Sequence, residues 1–187
     1  VELFPMGSFM KKGEYKGSST LRESKPKLML AYTYDFNNDA SKTRSNMGDY
    51  MYLADGSLYQ TNITTQFIDA VFKYEGYSLM TEYSSRSATN PIAKETDGME
   101  TGDIVLTGSA INVAMGYFLS EKIEIAGRWT SLSFDDLTGA ESVTMYTLGL
   151  NNFIVGHKLK VQSDLSYTLT DGSGDALMFR TGFELHF

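Results

Sequence analysis

Apolar and polar side chains alternate along most of this chain, most strictly near its C-terminal end. There Leu177, Phe179, Thr181, Phe183, Leu185 and Phe187 fall on one side of an extended backbone. Met178, Arg180, Gly182, Glu184 and His186 fall on the other. A period of two is the spacing of a β-strand. In 158–170, Leu159, Val161, Leu165, Tyr167 and Leu169 alternate with Lys158, Lys160, Gln162, Asp164, Ser166 and Thr168. In 122–134, Ile123, Ile125, Gly127 and Trp129 oppose Glu124, Ala126, Arg128 and Thr130. Leu28, Leu30, Tyr32, Tyr34 and Phe36 share one face of 27–37, and Ile111, Val113, Met115, Tyr117 and Leu119 one face of 105–119. Alternation and turn-forming residues together predict nine strands near 1–10, 27–37, 60–73, 77–87, 105–119, 122–134, 142–154, 158–170 and 176–187. No segment carries a helical period. Strands apolar on one face and charged on the other, with no helix to cover them, suit the wall of a transmembrane antiparallel up-and-down β-barrel.

The predicted connections alternate in length. Those at 73–76, 120–121 and 155–157 are tight, whereas 38–58, 87–104, 135–141 and 171–175 are longer or richer in Asp, Asn, Ser, Thr and Gly. Outer-membrane barrels pair short periplasmic turns with longer external loops. That rule puts the C-terminus in the periplasm. The segment 11–26 breaks the rule, being long where a periplasmic turn is expected. Ten residues at ~3.3 Å each, tilted ~45°, cover roughly 23 Å, close to the apolar band of an outer membrane. Aromatic residues gather near the predicted strand ends, as interfacial girdles do. On the inner side these are Phe72, Tyr74, Tyr77, Tyr117, Phe153 and Phe187; on the outer side, Tyr34, Phe36, Tyr83, Trp129, Tyr146, Tyr167 and Phe179. Nine is an odd count, and single-chain bacterial barrels have even ones. The expectation is a C-terminal piece whose N-terminal strands lie elsewhere, since an open edge in lipid costs several kcal/mol for each unpaired backbone group.

Composition narrows the chemistry. Cysteine is absent, which removes disulfides and thiolate metal sites. The two histidines, His157 and His186, both fall at the periplasmic ends of strands, away from any partner that would make a nucleophile, so no enzyme and no cofactor is expected. An acidic balance, net −7 with a pI near 4.8, disfavours nucleic acid. Sorted by the predicted topology, the external loops carry twelve acidic residues against Lys42, Arg44 and Lys94, and 11–26 carries five basic residues against Glu14 and Glu23. Oxygen-rich loops of this kind could bind divalent cations that bridge to lipopolysaccharide, although no fixed calcium-loop motif and no dedicated metal site is seen. The face expected to line the lumen includes Asp69, Lys73, Glu82, Arg86, Glu124, Arg128, Lys158, Lys160, Asp164, Arg180 and Glu184. Ionisable groups at membrane depth are costly unless they face water or one another. Such a set implies either a hydrated channel or a narrow interior cross-linked by ion pairs, and the near balance of signs argues against strong charge selectivity.

Two resemblances sharpen this reading. Arg180, Gly182, Leu185 and the terminal Phe187 resemble the C-terminal assembly signal of bacterial outer-membrane barrels, which implies recognition by barrel-assembly machinery. The hairpin Phe72-Lys-Tyr-Glu-Gly-Tyr-Ser-Leu-Met-Thr-Glu-Tyr83, the stretch Gly116-Tyr-Phe-Leu119, Glu124-Ile-Ala-Gly-Arg-Trp-Thr130 and the long segment Tyr146 to Tyr167 together resemble the C-terminal half of the bacterial phosphate-selective porins O and P. That resemblance implies a sixteen-stranded, trimeric outer-membrane porin for small hydrophilic solutes or ions, phosphate among them. The family's constriction loop and its basic residues would lie in the other half. The alternative expectation is a narrow structural barrel, or a scaffold subunit of a larger envelope complex, without an open pore.

Overall fold

A computed structural model describes residues 1–186; Phe187, the last residue of the expected assembly signal, lies outside the described residues. The chain is all-β. Its strands are β1 (Glu2–Leu3), β2 (Lys27–Ala40), β3 (Lys42–Arg44), β4 (Met47–Tyr50), β5 (Thr61–Tyr74), β6 (Tyr77–Ala88), β7 (Ile92–Lys94), β8 (Glu100–Ile104), β9 (Gly108–Phe118), β10 (Ile123–Phe134), β11 (Val143–His157), β12 (Leu159–Thr170) and β13 (Gly174–Leu185). Nine of them form one antiparallel sheet in the order β1-β2-β5-β6-β9-β10-β11-β12-β13, an up-and-down meander. Among the described residues β1 pairs with β2 alone and β13 with β12 alone, so the sheet is open and no closed barrel forms.

The eight long strands follow the alternation closely. Strand 1–10 does not. Only Glu2 and Leu3 join the sheet, opposite Ala31 and Leu30. Pro5 lacks an amide hydrogen for a ladder, Gly7 has φ +76, and Lys11 and Lys12 are left-handed at φ 48 and 55. The chain therefore turns off the edge into a short 3₁₀ stretch, Met10–Tyr15. The two long connections also differ from plain loops. They fold into the hairpins β3–β4 and β7–β8, which the sequence pattern did not mark.

Register separates the two faces cleanly. Cross-strand partners run Gly127–Leu148–Leu165–Phe179 on one face and Glu124–Asn151–Gln162–Gly182 on the other. The first face is apolar and open: Leu30, Tyr32, Tyr34, Phe36, Ile68, Tyr83, Met115, Trp129, Tyr146, Leu148, Leu165, Phe179 and Phe183 are all more than a third exposed. The second face carries the buried groups, including Lys73, Glu124, Asn151 and Ser166.

Two segments cover parts of that polar face. At one end of the strands the hairpins pack together over a cluster of Ala40, Met51, Ile63, Ala93 and Val105. Hydrogen bonds tie them, with the Ala54 amide donating to Glu95 Oε1 at 2.8 Å and the Leu106 amide to the Thr43 carbonyl at 3.0 Å. At the tight-turn end lies the strap formed by residues 9–25. Phe9 buries itself against Met29 and Val71, the Glu75 amide donates to the Glu23 carbonyl, and Arg22 donates to the Ser120 carbonyl at 2.6 Å.

Candidate functional site

Between the two covers the polar face of β6 and β9–β13 lines an open cleft of about 410 Å³. Its walls are strands, so each lining side chain is placed by parity and register rather than by a mobile loop. Glu124, Arg128, Lys160, Asp164 and Arg180 line it, joined by Ser78, Asn151, His157 and Gln162 and by Gly17 and Ser18 of the strap.

Part of it is a hydrogen-bonded rung of polar groups crossing three strands. Glu124, Asn151 and Gln162 stand opposite one another in register. Gln162 Nε2 donates to Asn151 Oδ1 at 2.9 Å, and Asn151 Nδ2 donates to Glu124 Oε2 at 2.7 Å. The same oxygen accepts the Ser18 hydroxyl at 2.7 Å. Glu124 is 1% exposed, and its other oxygen, Oε1, is buried with no hydrogen-bond partner among the described residues. Gly116 makes room for it: a Cβ there would stand 2.5 Å from Oε1.

Lys73 is anchored just as firmly. Its ammonium, 2% exposed, donates to the carbonyls of Gly13, Lys16 and Ser18 at 2.8, 2.5 and 2.9 Å. All three ammonium protons are thus used. A buried charge without such partners would cost far more than the fold can spare. Ser18 therefore joins two buried charges of opposite sign, taking a bond from Lys73 on its carbonyl and giving one to Glu124 from its hydroxyl.

Further charges on this face form two ion pairs. Lys160 meets Glu184 at 2.7 Å, and Arg180 meets Asp164 at 2.8 Å across β12 and β13. Glu184 also contacts His186. Asp69 stands opposite Glu82, and Arg86 Nε donates to Thr65 Oγ1 at 3.2 Å, both beyond the cleft. Arg128 lines the cleft with no ion pair within 4 Å among the described residues. Lys158 does not join this group; it sits exposed in the turn between β11 and β12.

The expected aromatic girdle divides. Tyr74, Tyr77 and Tyr117 stand in register on the apolar face at the tight-turn end. Trp129, Tyr146 and Tyr167 share a second level of the same face, further from the tight turns, with Phe179 close by on β13. Phe153 lies on the opposite face. It is 2% exposed, stacks against Phe118 at 5.3 Å and meets the His157 ring edge-on. The polar pair Asn151–Asn152 disguises the parity of β11 at that point, and a bulge follows between Phe153 and Val155. Arg180, Gly182 and Leu185 of the expected assembly signal lie in β13.

Sequence reasoning missed Ser18, Asn151 and Gln162. The one available signal was the segment 11–26, too long for its end of the sheet. Among the described residues no three metal-ligating side chains converge, and no helix is long and apolar enough to cross a membrane. No protein-family model, curated protein or solved structure matches the chain.

Proposed function

We propose that this sheet is part of the wall of an outer-membrane porin, through which small hydrophilic solutes or ions diffuse passively. One observation carries the reading: a nine-stranded meander whose exposed face is a continuous field of Leu, Ile, Phe, Tyr and Trp, and whose other face carries a cleft lined by Glu124, Arg128, Lys160, Asp164 and Arg180. Exposed apolar patches of that extent mark contact with lipid or a partner. In lipid only closed sheets satisfy the backbone, so both outer edges would be closed by further strands, in the sixteen-stranded wall and trimer that the resemblance implies. Lipid and lipopolysaccharide would meet the apolar face, and barrel-assembly machinery would recognise β13. Four charges on the polar face are already neutralised in two pairs, Lys160–Glu184 and Arg180–Asp164, which favours a weakly selective path over a phosphate-specific one. Planar-bilayer recording of the full-length protein tests this. Stepwise ohmic conductance is the expected result, and well-folded protein that never conducts refutes the pore.

A second reading, a plugged structural barrel or scaffold, draws on the strap and the packed hairpins, which cover both ends of the polar face. Liposome swelling separates the two, because a plugged barrel admits no sugar.

A further inference from the structure

We infer that residues 9–25 form a constriction at the tight-turn end of the pore, latched to the wall by Lys73 and Glu124, and that this strap limits the size of solute admitted. The inference rests on the pore reading above and adds to it where the narrow point lies and what holds it.

The strap lies on the polar face, at the tight-turn end of the strands, and it borders the cleft through Gly17 and Ser18. Anything moving along that face from the cleft towards the tight turns meets it. The hold is concentrated at one place. Lys73 donates to three strap carbonyls and Glu124 accepts from the Ser18 hydroxyl. Both charged side chains come from strands, β5 and β10, so the latch is preset by the wall, and the strap supplies mainly backbone. Flanking the latch, Arg22 lies over the Phe118 ring at 5.5 Å and bonds the Ser120 carbonyl, and Glu23 takes the Met10 amide at 2.7 Å.

The seam is not uniformly closed. Glu14 Oε2, Ser19 Oγ and Glu124 Oε1 are buried there without hydrogen-bond partners among the described residues. A buried polar atom left unpaired opposes the docked arrangement. The strap is thus pinned by the Lys73–Ser18–Glu124 relay and poorly satisfied around it. Removing the pin should free it, and the wall strands, paired in register, have no need of it.

Two variants of the full-length protein in planar bilayers and liposomes test this. Lys73→Met keeps the buried stem and removes the three donors. Its expected effect is a larger single-channel conductance and swelling by sugars that the unaltered protein excludes. Gly17→Cys places a thiol where a Cβ would have open space, in a chain with no cysteine of its own. Labelling it with a bulky methanethiosulfonate reagent is expected to cut the current, and a thiol reductant to restore it. If the unaltered protein conducts and the label leaves its current unchanged, the strap is not in the path and the inference fails, whether or not Lys73→Met folds. A labelled current that falls while Lys73→Met conducts like the unaltered protein overturns the latch. Absence of any conductance in the unaltered, folded protein overturns the pore reading, and the constriction with it.

Discussion

Leu148 sits in the middle of β11 on the apolar face, between Gly127 and Leu165, and is 60% exposed. Replacing it with arginine asks what that face touches. In hydrocarbon the lost leucine contact is worth roughly 1–2 kcal/mol, scaled by exposure from the ~1.5–3 kcal/mol of a fully transferred leucine side chain. With the guanidinium placed near the midplane the whole cost rises to about 2–4 kcal/mol. In water both contributions vanish, and an exposed strand substitution changes stability by only about 0.5 kcal/mol. Thr168→Arg on the polar face, four residues along the neighbouring strand from Asp164, serves as the control and is expected to stay within that smaller range. Reversible urea unfolding in lipid vesicles, followed by the single tryptophan Trp129, measures both variants. Trp129 lies on the same face, paired with Tyr146, so its emission reports the local transition. A Leu148→Arg protein as stable in bilayers as the control would refute the placement of this face in lipid.

Three further outcomes are expected. Gly116→Ala drives a methyl to 2.5 Å from Glu124 Oε1 and 3.0 Å from Ser78 Oγ; it should cost about 1–3 kcal/mol by urea midpoint. Gly108→Ala, with its Cβ 2.2 Å from the Ser133 carbonyl oxygen at φ +141, should cost more, and equal stability of either variant to the parent would contradict the packing. Arg180→Gln should lose no more than about 1 kcal/mol, because its ion pair with Asp164 is half open to solvent; a larger loss in the same unfolding assay would mean the pair is shielded. The Ser57 hydroxyl and amide both donate to Asp55 Oδ1, at 2.6 and 2.9 Å, and hold its carboxyl below the usual carboxylate range. Order in that turn is therefore fully present above the ordinary carboxylate pKa and is lost as pH falls through the lowered one. The Ser57 amide resonance reads the transition, and a midpoint at the ordinary carboxylate value would show that the two bonds do not form.

The long strands were legible because one face of each is apolar almost without interruption, so parity alone fixes which side every residue takes. Leu177, Phe179 and Phe183 could be assigned from spacing, and their partners in β12 then followed. Register also carried the polar face, which is why Glu124, Asp164 and Arg180 fall on one side. Phe153 escaped because parity is ambiguous where two asparagines precede an aromatic and a bulge follows. The strap escaped for a different reason. Its anchors join Lys73 to Gly13, Lys16 and Ser18, 55 to 60 residues apart, through backbone carbonyls that every residue owns. Left-handed Lys11 and Lys12 are conformations that lysine rarely adopts and that no residue pattern announces. The short hairpins β3–β4 and β7–β8 have too few residues to show a period. Their mutual packing around Met51 and Val105 depends on contacts between two separate connections.

Because spatial neighbours in the large sheet are always the next member of that sheet along the chain, each strand docks across a single connection, either a tight turn or one of the longer loops. The entropy of loop closure grows only slowly with span and is smallest for the tight turns. Assembly can thus advance as a zipper, hairpin upon hairpin, with each completed strand offering its free side as the template for the one that follows. The connection through the strap is the slow exception, since docking it requires β5 and β10, separated in the sheet by two strands, to be in place beforehand.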